Sequence, residues 1–204
     1  MVMPRTRNNL SASEVISGLQ KHIRRSEEEA AMQAAAELLY SGNKMLVGWL
    51  LNRLEVISHE DIGLANPSAI VFTAITVGQI RELLKAKKDD RASLYVANII
   101  LMLCRSPKSR LGDHFQAACG KPVKLGTPYT VPEYAFDKHT SRGRKMGRGL
   151  DHFRASSALC SPVADIHDPY EDRAYAVWTR MQDLPQGPPI DEDADEELTE
   201  KRLF

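Results

Sequence analysis

Three observations on the sequence predict an all-α fold. Apolar residues recur at the three- and four-residue spacing of a helix face in segment after segment up to residue 120. Capping and breaking residues, such as Ser41-Gly42 and Asn66-Pro67, fall between those segments rather than inside them. No apolar/polar alternation runs long enough for a strand.

The first helix is predicted from Ser11 or Ser13, either of which supplies a cap, to about Arg24, with Val15, Ile16, Leu19 and Ile23 in one stripe. Ser26 is the predicted cap of the second, whose first turn holds Glu27, Glu28 and Glu29, where the helix dipole favours carboxylates. This alanine-rich helix should reach Tyr40. A third, over 44–58, carries Met45, Leu46, Trp49, Leu50, Leu54 and Ile57. The fourth starts at Asn66-Pro67 and runs through Lys88, with Gly78 as the place to bend. Asp90 caps the fifth and Pro107 stops it; a short sixth spans Ser109 to Cys119.

After Gly120 the texture changes. KPVKLGTPYTVPEYAFD holds three prolines and reads as an extended connector draped over the core. KHTSRGRKMGRGLDHFRASSALC reads as a glycine-punctuated basic loop leading into a helix from Leu150. DPYEDRAYAVWTRMQ is a last amphipathic helix with Asp168 as cap and Pro169 in its first turn. From Leu184 the composition is that of a disordered acidic tail. The predicted division is a helical domain over 1–120, a connector, basic loop and terminal helices over 121–183, and the tail over 184–204.

Formal net charge is zero, but the charges are segregated. Residues 190–204 hold seven acids and two bases, while 138–154 hold six bases and the single acid Asp151. Such a split suggests a basic contact surface and an acidic tail. Cys104, Cys119 and Cys160 are widely spaced, which fits reduced thiols in the cytoplasm. The first ten residues lack the apolar stretch of a secretion signal. No run reaches the roughly 18 apolar residues of a membrane span.

ISHEDIGLANPSAI, residues 57–70, sets His59, Glu60 and Asp61 side by side. Adjacent residues on a helix point to different sides, so they do not converge on a metal, and HExxH is absent. A polar corner between two helices, turned by Gly63, is the better reading; a catalytic carboxylate would need a perturbing neighbour that the sequence does not display.

LQKHIRRSEEEAAMQAAAELL, LLNRLEVISHEDIGLANPSAI and YVANIILMLCRSPKSR, in that order, resemble the replication-associated recombination protein A family (RarA, also called MgsA), relatives of the Werner-helicase-interacting ATPase. The resemblance covers roughly residues 10–120; Glu60 to Pro67 and Ser106 to Ser109 are its most specific parts. It implies a helical bundle like the collar of clamp loaders, placed behind an AAA+ ATPase module and assembling into tetramers. It also makes Glu60 and Asp61 a helix-junction signature rather than an active site. The ATPase module has no counterpart here: GxxxxGK[ST] is absent, and YSGNKMLVG lacks the spacing that cradles phosphates. No cofactor and no nucleotide hydrolysis are expected, and the chain reads as a lid and oligomerisation domain whose segment after Gly120 replaces the family's ending.

Lys138, His139, Arg142, Arg144, Lys145 and Arg148 are the candidate nucleic-acid-binding residues, bases for phosphates with glycines that let backbone amides approach. Pairing of these bases with acids is the alternative. A nuclease-like site built from Tyr134, Asp137, His139 and His152 is also open, although it offers few carboxylates. A zinc site from His139, His152, Cys160 and His167 matches no finger spacing. Leu203 and Phe204, ending the acidic tail, are candidate anchors for a replication partner. The expected protein is a non-catalytic homotetramer, DNA-associated and nucleoid-located, acting in replication or recombination. It would contact its own copies, or a host relative, through the apolar helices at 44–58 and 91–104; a phage or mobile-element origin fits.

Overall fold

The computed structural model describes residues 4–157 and 170–182. They are helical, and among them the sole β feature is an isolated bridge between Arg5 and Ser11. The chain divides after Pro128 into two compact units.

In the first unit α1 (Ala12–Arg24), α2 (Glu28–Leu39), α3 (Lys44–Ile57), α4 (Pro67–Lys85) and α5 (Asp89–Arg105) form a bundle. α1 packs on α2 and α4 on α5, while α3 touches all four others. The stripe predicted on α1 faces inward through Leu19 and Ile23. Leu46, Leu50, Leu51, Leu54 and Ile57 from α3 meet Val96, Ile99, Ile100 and Leu103 from α5 in one core. Those two helices, expected to carry the assembly contacts, therefore spend most of their apolar residues inside the bundle. Exposed apolar side chains stand instead on Leu64, Val71 and Ile75 and on Leu111, Phe115 and Leu125, with Met45, Val56 and Leu94 as remnants on α3 and α5.

Two predicted caps are displaced, Ser26 by a tertiary partner and Asp90 by a helix that begins one residue earlier. Ser26 is not the N-cap of α2; it takes a positive φ of 62° and donates its hydroxyl to the Cys104 carbonyl at 2.6 Å, leaving Glu27 at the cap. Asp90 lies inside the first turn of α5 together with Asp89, and Lys88 occupies the cap. Asn43 caps α3 by accepting from the Met45 amide at 2.9 Å. α4 starts on Pro67, as predicted, and runs unbroken past Gly78 to end at Lys85.

α5 ends at Arg105, before Pro107. Helix ends leave carbonyls without partners. The Lys108 ammonium meets three here, donating to the carbonyls of Leu103 at 3.0 Å, Cys104 at 2.8 Å and Ser106 at 2.6 Å. Burial lowers its pKa. Burial also pushes the Cys104 thiol up to about 11, so it stays a neutral core group.

The predicted sixth helix is shorter and its follow-on longer than expected. α6 (Leu111–Phe115) gives way to a π-helical turn at Gln116–Gly120, and α7 (Lys121–Lys124) follows, so the connector begins after Lys124. Among the described residues no helix is long and apolar enough to cross a membrane.

The second unit contains a 3-10 turn (Glu133–Ala135), α8 (Ser141–Lys145), α9 (Leu150–Ser156) and α10 (Glu171–Gln182). Part of the predicted basic loop is thus helix. α9 starts at Leu150 as expected; Asp168 and Pro169 lie outside the described residues, as does the acidic tail.

Candidate nucleic-acid interface

The polar corner at 58–62 is the natural first suspect. α3 runs into a π-helical turn, Ser58–Ile62, and then a 3-10 turn, Gly63–Ala65. Gly63 takes a φ of 52°, which only a residue without Cβ adopts cheaply, and so reverses the chain. Asp61 is fully buried. Its carboxylate accepts from Arg24 Nε at 2.6 Å and Gln20 Nε2 at 3.0 Å, and its carbonyl accepts the Ser109 amide at 2.9 Å. Glu60 accepts from Arg110 Nη2 at 3.1 Å. The bond to Asp61 raises the Arg24 pKa. His59 is exposed and takes no part. Both carboxylates are spent on guanidinium groups from other elements, so the corner is a clamp joining α1, the α3–α4 turn and the segment after α5.

The six predicted bases of the second unit divide by task. Arg148 has only 13% of its side chain exposed and holds the chain before α8. It donates to the Glu133 carbonyl at 2.7 Å, the Phe136 carbonyl at 2.9 Å and the Glu133 carboxylate at 2.5 Å. Arg142 lies over the Phe136 ring at 4.1 Å, and Lys138 over the Phe153 ring at 5.2 Å. His139 meets Phe153 edge-on, with ring centroids 5.1 Å apart. Arg144 donates to the His139 carbonyl at 3.1 Å. Arg142, Arg144 and Lys145 stay exposed, and Lys145 makes no ion pair among the described residues.

What holds this array is local. Thr140 caps α8 by accepting the Gly143 amide at 3.0 Å, and Asp137 accepts the His139 amide at 2.9 Å. A Cβ on Gly143 would lie 1.9 Å from the Asp137 carbonyl oxygen, so the close approach of the two backbones requires glycine there. Phe136, Phe153 and Glu133 complete the array without being marked by the sequence, and Gly143, expected to let amides reach a phosphate, serves the packing of the turn instead. The only hint was aromatic residues flanking the basic run on both sides.

The alternative chemistries find little support in this geometry. Asp137, the carboxylate of the nuclease-like reading, is occupied as a turn cap, and Tyr134 is exposed. His152 Nδ1 is buried without a hydrogen-bond partner among the described residues. Among the described residues no three metal-ligating side chains gather; Cys160 and His167 lie outside them, as do Leu203 and Phe204.

With this geometry in view, the comparisons are specific. A family model described as MgsA AAA+ ATPase C terminal matches residues 25–159. Replication-associated recombination protein A of Bacillus subtilis is 32% identical over 145 residues, covering 68% of this chain and 31% of that protein. An uncharacterized AAA domain-containing protein of Mycobacterium tuberculosis is 30% identical over 158 residues, 78% of this chain and 34% of that protein. The chain thus spans about a third of the length of the curated relatives it matches. The match continues through α8 and into α9, which corrects the expectation that family likeness stops near Gly120. The clamp at Asp61 and the basic array therefore lie in one matched region, and the chain belongs to the MgsA AAA+ ATPase C-terminal family.

Proposed function

We propose that this chain is a non-catalytic nucleic-acid-associated module of DNA replication or recombination, located at the nucleoid in the cytoplasm. The observation that carries the reading is the division of labour in the basic array. Arg148 is committed to holding the turn, which leaves Arg142, Arg144 and Lys145 exposed on a fixed support. Phosphate contacts need such cations at the surface, and pre-organised side chains lose less entropy on binding. The test is a mobility shift with labelled duplex and single-stranded DNA. Arg142→Ala and Lys145→Ala should each weaken binding similarly across sequences and reduce the slope of log affinity against log salt by about 1. Unchanged affinity in the double variant would remove the array from this role, and degradation of the DNA on adding magnesium or manganese would favour the nuclease-like reading.

A second element of the reading is assembly into a homotetramer, or co-assembly with a relative. The exposed apolar residues Leu64, Val71 and Ile75 support it, because α4 carries no charged side chain before Arg81 and so offers a neutral face. Light scattering should return a multiple of the 22.8 kDa chain mass, and Val71→Glu should return the monomer. The acidic tail, with Leu203 and Phe204, is proposed to recruit a replication partner. Deleting residues 190–204 should then lose that partner in a pull-down without weakening the DNA shift.

A further inference from the structure

We infer that the groove between α1 and α3 is a docking site for an extended acidic peptide of a partner protein, one that sets a carboxylate beside a large apolar side chain. The groove has a volume of about 530 Å³ and lies wholly within the first unit, so the inference is independent of the nucleic-acid reading. Its floor is apolar, formed by Ile16 of α1 with Trp49 and Val56 of α3. Ser17 lines the α1 side; its hydroxyl accepts from Lys21 Nζ at 2.8 Å and keeps its own proton to donate to a peptide carbonyl.

Trp49 and Arg53 stand four residues apart on α3 and so share a face. Both are half-buried, and tryptophan and arginine are among the residue types that most often anchor an interface. No lining residue is acidic, and Arg53 is the one charge among them. Arg53 forms no ion pair among the described residues; its single hydrogen bond goes from Nη1 to Gln20 Oε1 at 3.2 Å. Gln20 is itself held by its Nε2 on buried Asp61 at 3.0 Å. The clamp thus fixes Gln20, Gln20 orients Arg53, and a half-buried guanidinium is left facing a groove with its charge uncompensated. A carboxylate is the group that compensates it, bidentately where geometry allows. A single cation is too few for a nucleic-acid strand, whose affinity rests on several phosphate contacts.

The test uses the full chain and two fluorescein-labelled peptides, GSDEFDSG and its amide counterpart GSNQFNSG, followed by anisotropy up to millimolar peptide. The acidic peptide should bind with a Kd on the order of 10–100 µM, and the amide peptide at least about tenfold more weakly. In a Trp178→Phe background, where Trp49 is the only tryptophan, its emission should shift on binding. Arg53→Gln should erase the preference between peptides while circular dichroism stays unchanged. Ser17→Glu, at an exposed position that leaves the core untouched, should abolish binding through bulk and like charge. Equal affinity for the two peptides, binding of neither, or wild-type affinity in Arg53→Gln overturns the inference. So does a Ser17→Glu variant that lowers the mass seen by light scattering without altering peptide binding, which assigns the groove to a second copy of the chain.

Discussion

Asp61 concentrates more tertiary information than any other described side chain. Its partners Gln20 and Arg24 sit on α1, 41 and 37 positions away, and its carbonyl holds the segment after α5. Removing one partner of a buried ion pair leaves the other without compensation, at about 3–5 kcal/mol. Arg24 is 37% exposed and regains water, so Asp61→Ala should cost about 3 kcal/mol, the lower end of that range, read as a reduced urea midpoint at constant slope. Asp61→Asn keeps an acceptor and should cost less. The sequence was enough to read a polar corner here, because adjacent residues diverge. It did not name the partners, since none is a neighbour in sequence.

At the scale of elements, capping explains both the successes and the failures of prediction. Asn66-Pro67 starts α4 as expected because proline at the first position needs nothing from the rest of the fold. Ser26 and Asp90 have the right chemistry for caps, yet a better tertiary partner for Ser26 and the extra turn residue Asp89 move the boundaries. Lys108 is the reverse case, a surface-type residue turned into a cap. Lys108→Met keeps the aliphatic stem but leaves the Leu103 and Ser106 carbonyls unmet, Cys104 keeping the Ser26 hydroxyl, so a loss of about 1–3 kcal/mol is expected by chemical denaturation. In the second unit, Gly143→Ala must push the Asp137 backbone away and release Phe136 from Arg142. The expected cost is about 1–3 kcal/mol, seen as faster protease cleavage between 129 and 148 with the first unit still intact.

The whole molecule responds to acid through contacts that tie its segments together. Glu37 accepts from Thr6 at 2.8 Å and from Asn8, fastening the residues before α1 onto α2. The Thr6 and Asn8 bonds hold its pKa below the ordinary 4.5. Glu28 is lowered likewise, first by its hydrogen bond with Arg105, which joins α2 to the end of α5. A depressed carboxylate binds its proton more readily in the unfolded chain, so its stabilisation is complete above about 4.5 and is lost as pH falls through the lower folded value. Tm should therefore decline on acidification below ~5, and Glu37→Gln should flatten that decline while lowering Tm at neutral pH. The proposed assembly belongs to this scale as well. The contrast between a filled α3–α5 core and the neutral outer face of α4 points mutagenesis at Val71 rather than at Leu50 or Ile99.

The sequence by itself determined that the described chain is helical, where most helices begin and end, that the 59–61 cluster is a corner, and which family the chain resembles. Those properties follow from spacing, capping chemistry and local motifs, all of which act within a few residues. Only the tertiary structure decided that Ser26 would serve α5, that Arg148 would hold a turn while Arg142 and Arg144 stay at the surface, and that Gln20 would carry Asp61's influence to Arg53. Each of these depends on a partner between 12 and 78 positions away, or on a chain of two such bonds. A side chain's chemistry names the kinds of partner it accepts; packing chooses which one stands within reach.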